Sequence, residues 1–326
     1  MSRLRTRACA ALFAVVNSAI MEMALAQTYP AKPITMVVPF TPGGGTDFMA
    51  RVYSDRLSKG LGVQILVENR PGAGGTIGTE AAGRAAPDGY TLLMGSVSTI
   101  SINPSLYKNL ASNPMKDLAP ISLVASTPSI VAVPVSLPVN SVQELLALAR
   151  TKPGGLNFGS AGTGTSHHLS GELLKVRAGV DMVHVPYKGT APSLTGLIRG
   201  DVQILIANIP SLAPALQGKT IKPIAITSLK RSPQMPDLKT VAESGLPGFE
   251  VTVWYAIFAP AGTPEAVVQR LNAEIRKAAE TADVQQHLLK EGADAVASSP
   301  QELRERMQAD YEKWGDIVRR ANVTAN

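Results

Sequence analysis

Short apolar, β-branched runs alternate along this chain with stretches whose apolar positions recur every three or four residues. Ile34–Phe40 reads as a buried strand. From Asp47 to Leu61, Phe48/Val52 and Met49/Tyr53/Leu57 fall at i, i+4, and Gly60 and Gly62 follow, which predicts a helix with a glycine stop. A strand around Gln64–Glu68, a glycine-rich turn, a small-residue helix over Ile77–Ala85, a Pro87-Asp88-Gly89 turn and a strand at Tyr90–Gly95 come next. The order β-α-β-α-β predicts a parallel sheet covered by helices.

The middle of the chain repeats the scheme. Ile121–Ser126 and Ile130–Val135 read as strands, and Ser141-Val142-Gln143-Glu144 as a capping box that opens a helix. Leu156–Ser160 runs into a second Gly/Thr/Ser turn and a helix through Leu169, Leu173 and Leu174. Val183–Val185, Val202–Ala207, Ile224–Thr227 and Val251–Ala259 are further strands. Thr263-Pro264 starts one helix; Ser299-Pro300-Gln301-Glu302 caps another, with a core-facing stripe at Leu303, Met307, Tyr311, Trp314 and Val318. Two such blocks predict two α/β lobes. Ile121–Val135 and Val251–Ala259 would cross between them, which places 27–125 and 253–326 in the first lobe and 126–252 in the second.

The first 26 residues stand apart. Arg3, Arg5 and Arg7 precede an apolar stretch from Ala8 to Ile20, and Ala24-Leu25-Ala26 closes it. Basic, apolar and A-x-A in that order is a secretory signal peptide, which implies export to the periplasm and processing before Gln27. The only cysteine, Cys9, lies within it, so the mature chain would hold neither a disulfide nor a Cys-ligated metal. Loss of the segment removes three Arg and one Glu and takes the net charge from +6 to +4. A mild excess without basic blocks favours small anions and argues against nucleic acid.

The candidate chemistry lies in two similar turns, Phe40-Thr41-Pro42-Gly43-Gly44-Gly45-Thr46-Asp47 and Gly159-Ser160-Ala161-Gly162-Thr163-Gly164-Thr165-Ser166. Each follows a strand and opens a helix. Glycine lets the backbone approach a ligand, and the helix start offers unpaired N–H donors and partial positive charge. Each turn is therefore a candidate anion site or, equally, an ordinary strand-to-helix connection. Three near misses carry less. Ala213–Thr220 lacks the first glycine of a phosphate loop and precedes a strand; Gly72–Gly78 breaks the dinucleotide spacing at Ile77; Gly164–His168 lacks the last glycine of a nucleophile elbow. His167 and His168 are adjacent and cannot face one metal from a helix, so no metal site or cofactor is expected.

Phe40–Asp47 resembles the glycine-rich turn of the Bug/TctC family, the extracytoplasmic receptors of tripartite tricarboxylate transporters. Glu68–Gly75, Pro87–Leu92, Ile102–Tyr107, Gly159–Leu169, Val185–Gly189, Gly248–Glu250 and Trp254–Pro264 match its other landmarks in order. The resemblance implies a periplasmic-binding-protein type II-like fold with two α/β lobes, a hinge and a central ligand cleft. It implies that Thr41, Gly43, Gly44, Gly45, Thr46 and Asp47, beside Phe40, face Ala161, Gly162, Thr163, Thr165 and Ser166 across that cleft. Together they would grip one carboxylate, partly through water. Ser96, Ser98, Tyr187, Asn208, Trp254 and Tyr255 match other cleft positions. Gly45, in a slot often held by Pro, and His167, ahead of the usual single His168, depart from the family pattern at the pocket rim.

The reading is a solute-binding protein, a monomer, that captures a small organic anion and delivers it to membrane permease subunits. A sensory receptor with the same cleft is the alternative. An enzyme would most plausibly be a hydrolase using Ser166 and His168, but no carboxylate is identifiable to orient them. Lys188 is the basic residue nearest a pocket motif.

Overall fold

The computed structural model describes residues 29–107, 110–290 and 292–324. The leader proposed over residues 1–26, with Cys9, lies outside them. Strand β1 (Ile34–Val38) is almost wholly buried and forms the expected parallel pairs with β2 (Ile65–Asn69) and β3 (Thr91–Ser96). Helix α1 (Gly45–Leu61) crosses between β1 and β2, burying Met49, Tyr53, Leu57 and Leu61 along its i, i+4 stripe. It stops at Gly62, whose φ of 73° lets its N–H reach the Ser58 carbonyl at 3.0 Å. The turn at Ala73–Gly75 leads into α2 (Thr76–Gly83). After β3 a π-helical turn, Ser98–Ile102, runs through α3 (Asn103–Leu106) toward α4 (Pro114–Asp117).

Two strands were expected over Ile121–Val135; one continuous strand, β4 (Leu118–Pro134), is found. Its first part pairs antiparallel with β9 (Thr252–Pro260) as far as Pro128 opposite Thr252. From Ser129 onward it pairs with β7 (Ile204–Asn208) and β8 (Ile221–Ile226). Pro128, which has no N–H to donate, sits where the strand changes partners, a place that demands no ladder bond from it. The last part of β4 is buried on both faces. Ile130 and Ala132 meet a small apolar cluster, whereas Val131 and Val133 enter the main core, as period-two alternation requires.

The second half continues with α5 (Val142–Thr151), β5 (Asn157–Ser160), α6 (Ser166–Ala178), β6 (Val183–Pro186), α7 (Thr190–Arg199), β7, α8 (Ile209–Gln217) and β8. The Ser141 box closes differently from the expected pattern. Ser141 Oγ accepts the Glu144 N–H at 3.2 Å, but the Glu144 carboxylate takes the N–H of Asn140, at 2.7 Å. Helices α7 and α8 carry no strong sequence signal because prolines interrupt their patterns; Pro214 lies inside α8. The strand order is β2-β1-β3-β9-β4-β7-β5-β6, with β8 and β10 (Asp294–Ala295) paired to β4. Helices α9 (Glu265–Glu280), α10 (Ala282–Lys290) and α11 (Pro300–Arg320) complete the chain. The Ser299–Glu302 capping box that opens α11 is complete, and Leu303, Met307, Trp314 and Val318 are buried as expected, with Tyr311 half-buried.

Candidate functional site

A cavity of about 690 Å³ opens at the carboxyl ends of the parallel strands. Phe40, Thr41, Gly43, Gly44, Gly45, Thr46, Ser96 and Ser98 line it from the first half; Ala161, Ser166, His167, Asn208, and also Gly189, Thr190 and Ser211, line it from the second. Val253 and Tyr255 on β9 close the floor between them. Such volume and position suit a small metabolite. None of the described lining residues is Lys, Arg, Asp or Glu.

The polarity comes instead from the backbone. Four helices begin on this cavity: α1 after β1, α6 after β5, α7 after β6 and α8 after β7. Their cap residues are Gly44, Thr165, Gly189 and Asn208. Only Thr165 uses its side chain to cap, accepting from His168 N–H at 3.3 Å; the first turns of the other three have no side-chain cap. Uncapped first turns leave N–H donors for a ligand, and each helix adds partial positive charge at the same place.

Each turn is held from behind. The Asp47 carboxylate accepts Gly43 N–H (2.9 Å), the Arg51 guanidinium in two bonds (2.9 and 3.0 Å) and Asn69 Nδ2 (2.9 Å). Burial pushes its pKa up, but the Arg51, Gly43 and Asn69 donors outweigh this and lower it to about 2. Asn69 also donates to the Phe40 carbonyl at 3.0 Å. Gly43, at φ 86°, takes the left-handed conformation in this turn; Gly44 is extended, at φ −85°. Tyr255 lies over Gly45, where a Cβ would come within 2.5 Å of its hydroxyl oxygen.

In the second turn Ser160 Oγ accepts Gly162 N–H at 3.1 Å and lies 2.6 Å from His184 Nε2. Thr165 Oγ1 donates to the Gly162 carbonyl at 2.7 Å, and Gly164 N–H donates to His168 Nδ1 at 3.1 Å. Gly162 has a φ of 132°. His167 borders the cavity with Nδ1 buried and without a partner among the described residues, and desolvation lowers its pKa to about 4.

The residues named from sequence thus separate into two sets. Thirteen of them border the cavity: Phe40, Thr41, Gly43, Gly44, Gly45, Thr46, Ser96, Ser98, Ala161, Ser166, His167, Asn208 and Tyr255. Asp47, Gly162, Thr163 and Thr165 stand off it; Asp47, Gly162 and Thr165 bond the turns themselves. Tyr187 packs its ring against Gly196 and Gly159, away from the cavity. Trp254 is buried, with Nε1 on Asp310. Gly189, Thr190, Ser211 and Val253 were not anticipated. The signal for Gly189-Thr190 was present: like the two turns singled out, it is a glycine followed by a hydroxyl residue between a strand and a helix.

No hydrogen bond joins Ser166 to a histidine among the described residues. His168 faces Gly164 through Nδ1 and Glu172 through Nε2, at 3.7 Å. Among the described residues no three His, Cys, Asp or Glu side chains gather as a metal cluster, and no helix is long and apolar enough to cross a membrane.

Residues 49–323 match the model of the tripartite tricarboxylate transporter family receptor, TctC. The chain is 35% identical over 306 residues to protein BugT of Bordetella pertussis, covering 94% of each. Among solved structures it superposes on R. palustris Rpa4515 with adipate at a TM-score of 0.79 and 35% identity, covering 91% of this chain and 99% of the other. MatC from Rhodopseudomonas palustris with bound malate gives 0.75 and 35%, covering 89% and 100%. The two-lobed α/β fold of periplasmic binding proteins is therefore this chain's fold, and the chain belongs to the TctC family of tripartite tricarboxylate transporter receptors.

Proposed function

We propose that this receptor captures a small organic anion through a carboxylate and presents it to its permease as a monomer, without transforming it. The convergence of four helix N-termini on a cavity with no charged lining residue among the described ones carries this reading. Backbone donors and hydroxyls there match a carboxylate oxygen by oxygen, and no bulky countercharge is needed. The adipate and malate complexes of the two R. palustris relatives support the same ligand class. Export would follow cleavage after Ala26, which an N-terminal sequence starting at Gln27 would bear out.

The two lobes, 27–125 with 253–326 and 126–252, would hinge where β4 passes from β9 to β7 and β8, between Pro128 and Ser129. Closure is driven by whatever a ligand gains in the closed form over the open one. Native mass spectrometry of protein purified without refolding should reveal a retained organic acid. Calorimetric titration with adipate and malate, paired with small-angle scattering, should show saturable binding and compaction. Binding of neutral analogues in preference to the acids would sink the carboxylate reading; an unchanged scattering profile at saturation would sink the hinge.

A further inference from the structure

Behind the second turn lies a polar group that does not line the cavity described above, with His168 buried and His184 half-buried. The rings of His168 (α6) and His184 (β6) stack with centroids 3.7 Å apart and planes 14° from parallel. Phe158 on β5 stacks on His184 at 5.0 Å. The charged groups around the pair are Glu172, 3.7 Å from His168 Nε2, and Lys175, paired to Glu172 at 3.0 Å, both from α6. From β5, Ser160 Oγ meets His184 Nε2 at 2.6 Å.

We infer that His168 and His184 are positioning residues: as a neutral stack they hold the Ser160–Thr165 turn in its anion-accepting shape, and a proton added to the stack releases the turn. The inference rests on the carboxylate reading only for its effect on binding. A backbone N–H can only donate, so the Gly164 bond makes His168 Nδ1 an acceptor and puts the ring proton on Nε2, toward Glu172. A second proton has one place to go, Nδ1. It would set two donors 3.1 Å apart and break the bond to Gly164. Gly164 has a φ of 78°, a left-handed conformation that its bond to His168 Nδ1 helps to hold.

His184 adds to the effect. A charge on it would lie in a stack with His168, buried against Phe158, and with Lys175 nearby. Burial chiefly, then His168 and Lys175, lower its pKa to about 4. The sign follows. A base held below its unfolded value, here 6.5, favours the folded neutral turn fully above that value and loses that preference as pH falls toward 4. The ring centroids are 3.7 Å apart, so a proton on either ring charges the stack. Ligand held by this turn should therefore be released by acid, and binding should expel a proton.

Two measurements decide it. In the ligand-free protein, the NMR shift of the Gly164 amide should follow protonation of the His168–His184 stack as pH falls from 8 toward 4, with the His168 Nε2–H tautomer present at pH 8. A Gly164 amide indifferent to that titration overturns the inference, whether or not any carboxylate binds. Adipate affinity should then be compared at pH 7.5 and 4 in the parent, His168→Asn and His168→Phe. Asn keeps an acceptor for Gly164 but cannot take up the proton, so its profile reports the titration of the ligand and of the remaining groups, His184 included, with the Gly164 bond in place. The parent should lose about twofold more affinity than His168→Asn over that interval, the most that one proton taken up near pH 4 allows, and His168→Phe should bind at least tenfold more weakly than the parent at pH 7.5. Matching profiles for parent and His168→Asn, or parent-like binding by a folded His168→Phe, would also overturn it. If the parent binds neither adipate nor malate, the carboxylate reading fails and the NMR titration alone decides the role of the stack.

Discussion

Trp254 Nε1 donates to Asp310 Oδ2 at 2.6 Å, which pins the crossing strand β9 to the C-terminal helix α11. Asp310 is also held by Arg306 (2.7 Å) and Lys313 (2.8 Å), and Arg306 reaches on to Thr252 (2.9 Å) and Glu250 (3.3 Å). The network therefore spans Glu250–Trp254, the segment by which the chain returns to the first half of the sheet. Trp254 serves this anchor with its face to the core.

Removing one bond and removing the buried charge itself should differ. Trp254→Phe leaves Asp310 with two cations and should cost about 1–3 kcal/mol of stability, the price of one buried donor–acceptor pair. Asp310→Ala takes the buried carboxylate from Lys313 and from Arg306, which keeps only Glu250 as a countercharge, and should cost about 3–5 kcal/mol. Denaturant melts of the two variants beside the parent test this; equal, small losses would show that the network is slack.

Asp47 organises the first turn, and its low pKa gives it a pH signature. Its folded value of about 2 lies below the unfolded 3.8, so its contribution is complete above about pH 4 and disappears as pH falls toward 2. Asp47→Asn should lower stability at pH 7 by about 1.5–3 kcal/mol through the lost charged bonds. The variant should also show a shallower decline than the parent below pH 4. Acid melts followed by circular dichroism would reveal parallel curves if Asp47 contributes nothing.

The two turns make a contrast between glycines. Gly44 is extended, and the nearest atom to a Cβ there is the Thr41 carbonyl oxygen at 3.9 Å, so Gly44→Val should fold with its turn intact. Gly162 sits at φ 132°, where a β-branched side chain is strained. Gly162→Val should distort the second turn and weaken carboxylate binding by at least tenfold, about 1.4 kcal/mol. Any loss in Gly44→Val would instead reflect crowding of the cavity mouth. Titration beside thermal melting separates the cases, and parent-like affinity in Gly162→Val would remove the second turn from the site.

Lys188 is exposed and does not line the cavity. If backbone donors carry recognition, Lys188→Ala should reduce affinity by less than tenfold, under about 1.4 kcal/mol. A loss of several hundredfold by calorimetry would mean that an ion pair holds the ligand.

Much of this was readable in one dimension. Local rules acted at full strength in α1, where an apolar stripe runs into a glycine stop, and in α11, where a capping box opens an apolar stripe. The glycine turn at Thr41–Thr46 was legible because a strand, three glycines and a helix start are consecutive. Helices α7 and α8 were not, since internal prolines hide them from periodicity and packing against β4 and β7 sustains them. Nor was the unity of β4 visible, because a proline in a strand reads as a break until the change of partners at Pro128 and Ser129 is known.

By itself the sequence determined the α/β alternation, the family and the glycine turns, all set by residues near one another in the chain. Only the tertiary structure decided what each site residue does. Phe40 and Asp47 belong to one motif, yet Phe40 lines the cavity while Asp47 turns back to Gly43, Arg51 and Asn69. Trp254 and Tyr255 are neighbours, but strand alternation sends Tyr255 to the cavity and Trp254 to Asp310. The stack of His168 on His184 joins residues from a helix and a strand. Chain order fixes which residues share an element; which face a side chain takes, and what meets it there, is set by the packing of elements that sequence distance does not encode.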